Sequence, residues 1–280
     1  MIRRAFIVFL ILVVGYALFV RYVKVDRDTS QHQASGNRIK AEQFVFGQDK
    51  PDATVIVGSS LAFRIVLDSL PPGASNLGFG GLSIYDGLEL IRRSGKHPAR
   101  VLIETNMLFK EPDRAFLNAL FEPGLYELRR EVPILREENQ PTGVLVGWLK
   151  EQMRSVPEAS TNAADSMEMS QNLFDTNLAS FAQVPADSVQ QRFIDRLAEN
   201  LATLEARGIK VIFMEVPVSP EITKSPLAMR SRELIEERFP KHTFLRTDPQ
   251  LTWRTADGLH LQPANAERYS GWLAAALRGQ

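Results

Sequence analysis

A serine and a histidine 200 positions apart carry the chemistry that this sequence has to offer. Ser60 follows Gly58-Ser59 at the end of the run Thr54-Val55-Ile56-Val57, and His260 closes the tetrapeptide Asp257-Gly258-Leu259-His260. A serine hydroxyl becomes a nucleophile when an imidazole takes its proton. The imidazole is held for that task when a carboxylate accepts from its other nitrogen. Asp257 and His260 lie three residues apart on a turn, a spacing that lets the carboxylate face the ring. Taken singly, each segment also has a plainer reading. Gly58-Ser59-Ser60 suits a polar turn that caps the next helix, and Asp257-Gly258 suits the corner of a surface turn with His260 exposed.

Composition leaves room for such a site and removes several alternatives. The chain has 280 residues, 44% hydrophobic and 24% charged, which is enough for one large domain with additions. Lys plus Arg and Asp plus Glu number 33 each, so no net field favours nucleic acid, and none is expected as a partner. The lack of cysteine removes disulfides, thiolate zinc sites, a thiol nucleophile and lipid attachment through sulfur. His32 has no neighbouring ligand types at metal spacing and reads as solvated. His97 and His242, beside Pro98 and Lys241 in polar stretches, read as surface residues. Neither a metal nor a cofactor is implied.

Bringing the two segments together takes a framework. Thr54 to Gly58 is a β-branched run ending in glycine, the pattern of a buried parallel strand that opens onto a tight turn. Ala74 to Gly81 is a second brief strand breaking into a glycine-rich loop, where backbone N–H groups can approach a ligand. Its glycine spacing is not the dinucleotide pattern, and no phosphate-gripping lysine follows. Arg100 to Ile103, Lys210 to Pro217 and Thr243 to Arg246 supply three more strands. Between them lie helices at Leu61 to Leu70, Ser83 to Gly95, Asp187 to Arg207 and Ser225 to Phe239, with a last one from Pro263. The stripe Val189, Phe193, Leu197, Leu201 and Leu204 has helical spacing and reads as core. The alternation predicts an α/β protein with a doubly wound, mostly parallel, five-stranded sheet. In such sheets ligands bind beyond the carboxyl ends of the strands, where Ser60 falls.

Three regions stand outside that alternation. Ala5 to Val20 is an uncharged apolar run of about 16 residues behind Arg3 and Arg4. No small-x-small site follows it, so residues 1–25 read as an uncleaved transmembrane signal anchor rather than a cleaved leader. The expected location is the inner (cytoplasmic) membrane, single-pass, with the main domain, residues 53–280, on the periplasmic side. Residues 26–52 are polar and read as a spacer. Residues 107–185 read as an insertion, with amphipathic pieces around Arg114 to Leu128 and Gly143 to Met153 and a Ser-, Asn-, Ala- and Met-rich stretch after them. As a packed lobe or as a lid, such an insertion would cover or shape the site.

Four segments occur in the order seen in the GDSL, or SGNH, hydrolase superfamily: Gly58-Ser59-Ser60-Leu61, Asn76 to Gly81, Glu104-Thr105-Asn106, and Asp257-Gly258-Leu259-His260. The chain resembles that superfamily from Thr54 to its C-terminus. The resemblance implies a flavodoxin-like SGNH fold, Ser60 as nucleophile, His260 as base and Asp257 as its acid partner. It also implies an oxyanion hole made by a backbone N–H of Gly81, with Gly78 the second choice, and by the Asn106 side chain. Ser59 stands where the family usually has Asp, Thr105 where it has Gly and Leu261 where it has Pro. The Gly-Ser-Ser form is similar to that of membrane-tethered relatives that handle acyl groups on envelope polymers. It implies a serine esterase or O-acyltransferase acting on acyl, foremost acetyl, esters of a cell-envelope or extracellular polysaccharide. A transferase would need a membrane protein to deliver the acyl group. The resemblance leaves open a non-catalytic carbohydrate-binding or scaffold protein of an envelope polymer modification or export complex.

Overall fold

Buried β-branched runs build the centre of the larger part of the molecule. A computed structural model describes residues 1–22, 33–50, 52–153 and 169–279. Among them are five strands in one all-parallel sheet: β1 (Thr54–Gly58), β2 (Ser75–Gly78), β3 (Arg100–Glu104), β4 (Lys210–Met214) and β5 (Thr243–Leu245), in the order β2-β1-β3-β4-β5. The helices are α1 (Ile2–Tyr22), α2 (Gln33–Phe46), α3 (Ser60–Phe63), α4 (Ile84–Ser94), α5 (Arg114–Leu120), α6 (Leu125–Glu131), α7 (Pro141–Met153), α8 (Gln171–Phe181), α9 (Asp187–Ala206), α10 (Pro220–Thr223), α11 (Pro226–Arg238) and α12 (Pro263–Arg278). The chain divides into two compact units, Gly47–Leu117 with Ser160–Gln280, and Met1–Phe46 with Asn118–Ala159.

The first unit holds the sheet. Every residue of β1 is buried, and β3 and β4 are buried beyond their first residue, as strands covered on both faces must be. Side chains alternate between those faces. Ile56, Leu102 and Ile212 join Tyr269, Leu273 and Leu277 of α12 in one core cluster. On the other face Gly87 of α4 comes so close to Val57 that an added Cβ would meet its side chain at 2.8 Å, and α9 packs beside α4. Tyr85 of α4 donates to the Phe193 carbonyl of α9 at 2.9 Å. A capping box starts α4, with Ser83 N–H donating to Asp86 at 2.8 Å, and Gly95 at φ 72° ends it. Because all strands are parallel, β1, β2 and β3 end on one edge, with Gly58 opposite Gly78 and Val57 opposite Ile103.

Three details differ from the sequence reading. The helix expected over Leu61 to Leu70 is a single turn, α3, followed by a separate 3-10 turn at Leu67–Ser69. His242 is not a surface residue: its side chain is 17% exposed, its Nε2 lies 2.7 Å from Glu205, and its ring packs on Phe213 and Phe239. Those contacts come from β4 and from the ends of α9 and α11, which its polar sequence neighbours do not reveal. His97 is exposed. The third difference is α2, which occupies residues 33–46 of the stretch that reads as a spacer. His32 lies outside the described residues, as do residues 154–168 of the expected insertion.

The second unit is helical. Asn37, Ile39, Ala41, Glu42 and Val45 of α2 are buried. Glu42 accepts from the Glu137 N–H at 2.6 Å and pairs with Arg38 and Arg129, each at 3.6 Å. Burial pushes its carboxyl above the ordinary value, against the opposing pull of the Glu137 N–H and the two guanidinium groups. A helix with so few large apolar residues is held by ion pairs to segments some 90 positions away, and composition does not show them. α1 is 21 residues long, with none buried, and is apolar enough to cross a membrane.

Candidate active site

The turn after β1 is built to present Ser60. Ser59 is the N-cap of α3, and Ser60 is its first helical residue, partly exposed. Under the turn lies Glu104, at the end of β3 and fully buried. Its carboxylate accepts from Ser59 N–H at 2.7 Å, from Ser59 Oγ at 2.8 Å and from Ala62 N–H at 3.2 Å. Ser59 Oγ in turn accepts from Leu61 N–H at 3.2 Å. Thus the amides on either side of Ser60 are taken, and its own N–H, an orphan of the helix start, is left without a partner among the described residues. Gly58 is required here, because a Cβ would stand 2.6 Å from Glu104 Oε2 and 2.3 Å from the Ala62 Cβ. Burial raises the Glu104 pKa, and the hydrogen bonds from Ser59 and Ala62, with the charge of Lys110, act in the opposite direction.

The second half is a loop closed on itself. Thr255 and Leu261 form an antiparallel bridge, and Ala256 N–H donates to the His260 carbonyl at 2.8 Å. Gly258, at φ 86°, makes the corner; its carbonyl accepts from Ser219 N–H at 2.7 Å. Asp257 Oδ1 accepts from the N–H groups of Leu259 and His260 at 3.1 and 2.8 Å, which leaves Oδ2 for His260 Nδ1 at 2.7 Å. Burial raises the Asp257 pKa, but the hydrogen bonds and charge of His260 outweigh it and hold the carboxyl below its ordinary value. The imidazole Nε2 therefore carries the free lone pair, and Ser60 Oγ donates to it at 2.8 Å. Arg64, just after α3, donates to the Leu261 carbonyl at 2.9 Å, and Val66 N–H donates to Ser270 Oγ of α12 at 2.9 Å. These two bonds tie the early and late segments together beside the Ser60–His260 contact.

The remaining expected residues fall differently. Gly78 N–H is occupied by Asn76 Oδ1 at 2.7 Å, and the glycine is needed because a Cβ would strike the α3 backbone at 2.5 Å. That removes it as an oxyanion donor. Gly81 lies three residues beyond β2, exposed at φ 74°, and its N–H has no partner among the described residues. Asn106, two residues beyond β3, is fastened to the segment after β4. Its Oδ1 accepts from Val216 N–H at 2.8 Å and its Nδ2 donates to the Val216 carbonyl at 2.9 Å, leaving one amide hydrogen.

Two participants escaped the sequence reading. Glu104 stood in view beside Asn106, but a carboxylate at a strand end carries no sign of which turn it will support. The other is α8, from the polar end of the expected insertion. Its Asn177 donates to the Asp257 carbonyl at 3.0 Å, and its Phe174 lies where a Gly258 Cβ would come within 2.6 Å of the ring. Among the described residues no three or more His, Asp or Glu side chains gather as a metal site requires.

Comparisons with family models, with curated proteins and with solved structures return no match. What the site can do rests on its own geometry: a hydroxyl on a fixed turn, an imidazole within proton-transfer reach, and a carboxylate behind it.

Proposed function

We propose that the protein is a serine-dependent ester hydrolase or O-acyltransferase of the SGNH type. The observation that carries this reading is the chain Ser60 Oγ to His260 Nε2 at 2.8 Å and His260 Nδ1 to Asp257 Oδ2 at 2.7 Å. Ser60 Oγ attacks the ester carbonyl as its proton passes to His260 Nε2, and Asp257 stabilises the imidazolium. Charge gathers on the carbonyl oxygen, where the free N–H groups of Ser60 and Gly81 and the spare Asn106 amide hydrogen are the available donors. When the intermediate collapses, the leaving alcohol oxygen takes the proton from His260 and an acyl-Ser60 ester remains. Water, or a sugar hydroxyl, then gives its proton to His260 and attacks that ester, and Ser60 departs with the proton restored.

Three features support the finer parts of the reading. The strand order β2-β1-β3-β4-β5 is the flavodoxin-like order, for which the crevice beyond the strand ends is the expected site. On the same sheet edge, beyond β4 and β5, is a cleft of about 420 Å³. Its lining includes Trp253, Arg232, Arg246 and Asp248. The apolar α1 suits an enzyme tethered beside an acylated envelope polysaccharide, in the inner membrane with its main domain outside the cytoplasm. The test is labelling with a fluorophosphonate, followed by mapping of the adduct and by ester release from an acetyl ester and an acetylated polysaccharide. Adduct on Ser60, with ester release lowered at least about a thousandfold in Ser60→Ala, is the expected result. Ester release that survives Ser60→Ala overturns the mechanism, and an inert Ser60 returns the protein to a binding or scaffold role.

A further inference from the structure

The helical unit presents one helix with most of its large apolar side chains exposed. In α7 the buried positions are filled by Val144 and Gly147, while Leu145, Val146, Trp148, Leu149 and Met153 are 37 to 72% exposed. At 100° per residue those five side chains fall within one outward arc of about half the helix circumference, which the uncharged Thr142 and Gln152 share. A helix bathed in water buries its large apolar residues; α7 instead shows most of them, and from Pro141 to Leu149 it carries no charge at all.

Its neighbour indicates what lies against that face. Tyr16 of α1 donates to the Asn139 carbonyl at 2.7 Å, two residues before α7, and Phe19 of α1 meets Trp148 of α7 edge-on with ring centroids 6.3 Å apart. The start of α7 is therefore tied to the last two turns of α1, the helix with no buried residue, through Asn139 and Trp148. The uncharged part of α1, Ala5 to Val20, spans about 24 Å at 1.5 Å per residue, short of a hydrocarbon core of about 30 Å. Apolar surface added beside its outer end would lengthen the lipid-facing band where α1 falls short. A tryptophan at that level is suited to the boundary between acyl chains and headgroups.

We infer that α7 lies in the outer interface of the membrane that α1 crosses, with Leu145, Val146, Leu149 and Met153 in the acyl-chain boundary. The bilayer, rather than a second protein, is then the partner of this face, and the helical unit grips the membrane at two places instead of hanging from one helix. The inference rests on α1 spanning a bilayer and is independent of the chemistry at Ser60.

The absence of cysteine makes the test clean. Single cysteines are introduced into the full chain as Leu145→Cys and Leu149→Cys, with Val8→Cys in α1 as reference. Each is labelled with a small environment-sensitive fluorophore, and the protein is reconstituted into phosphatidylethanolamine–phosphatidylglycerol vesicles. Labels at 145 and 149 are expected to be quenched by brominated acyl chains as strongly as the label at 8, and to be insensitive to aqueous iodide. Quenching by iodide but not by brominated lipid would overturn the inference, because the face would be in water. Protection from both quenchers would overturn it in favour of a protein partner. A label at 8 that lipid cannot reach would remove the spanning helix on which it stands, whatever Ser60 does.

Discussion

Glu104 offers the sharpest test of how the Ser60 turn is held. Its fully buried carboxylate is the acceptor for two backbone N–H groups and one hydroxyl, at 2.7, 3.2 and 2.8 Å. In Glu104→Ala the donors of Ser59 and Ala62 lose that acceptor in a place water reaches poorly. Each orphaned donor costs about 1–3 kcal/mol, and the Ser59 hydroxyl can turn to another acceptor, so the two backbone N–H groups alone imply a loss of roughly 2–6 kcal/mol before any cavity is counted. In a domain of this size that lowers the melting temperature by on the order of 10 °C. Glu104→Gln keeps the shape and one acceptor oxygen but loses the charge-assisted strength of the bonds, and should cost only about 1–2 kcal/mol. The two variants also report on geometry. If the turn sags by about 1 Å, Ser60 leaves the reach of His260 Nε2, and reaction with a fluorophosphonate should slow by roughly a hundredfold in the alanine variant and far less in the glutamine variant. Thermal unfolding followed by circular dichroism and labelling rates at a temperature where both variants are folded supply the two readings. A Glu104→Ala protein that melts with the wild type and labels at the same rate would refute the account of the turn.

The other two predictions concern the neighbouring groups. On the proposed mechanism Asn106 is an oxyanion donor, worth about 3 kcal/mol in the transition state, so turnover should fall by roughly a hundredfold in Asn106→Ala. Because Asn106 also bonds both the N–H and the carbonyl of Val216, the same substitution should lower stability by about 1–3 kcal/mol, so unfolding must be measured alongside rates. An unchanged stability would contradict that pairing. Asp257 has its folded pKa held below its unfolded value of 3.8, so its contribution to stability is complete above that value and is lost as pH falls through the lower folded one. Urea unfolding of wild type and Asp257→Asn should therefore differ at neutral pH and converge on acidification; a gap that stays constant or widens would count against the His260–Asp257 pairing.

Much of the fold can be read from the chain by itself. Thr54 to Gly58 and Lys210 to Met214 declare buried strands, because a strand covered on both faces must be apolar at every position. The stripe of α9 declares a core-facing helix, because its period is that of the helix. The apolar length of α1 is equally plain. In each case the information is local: neighbouring residues share one environment, and their pattern records it. Within the site, Asp257 and His260 could be paired on paper because they share one turn, and Ser60 could be nominated because it ends a strand.

Tertiary structure alone decided the rest. No local pattern distinguishes Glu104 under the Ser59 amide from a carboxylate left at a strand end, or Gly78, whose N–H is spent on Asn76, from Gly81, whose N–H meets no partner among the described residues. The binding of α2 through Glu42, the aromatic cover over His242 and the seat of Asn177 on the Asp257 carbonyl were hidden for the same reason. These are single polar or aromatic contacts between segments far apart in the chain. A hydrogen bond is specified by the position of two atoms, and sequence fixes those positions only through the packing of everything between them.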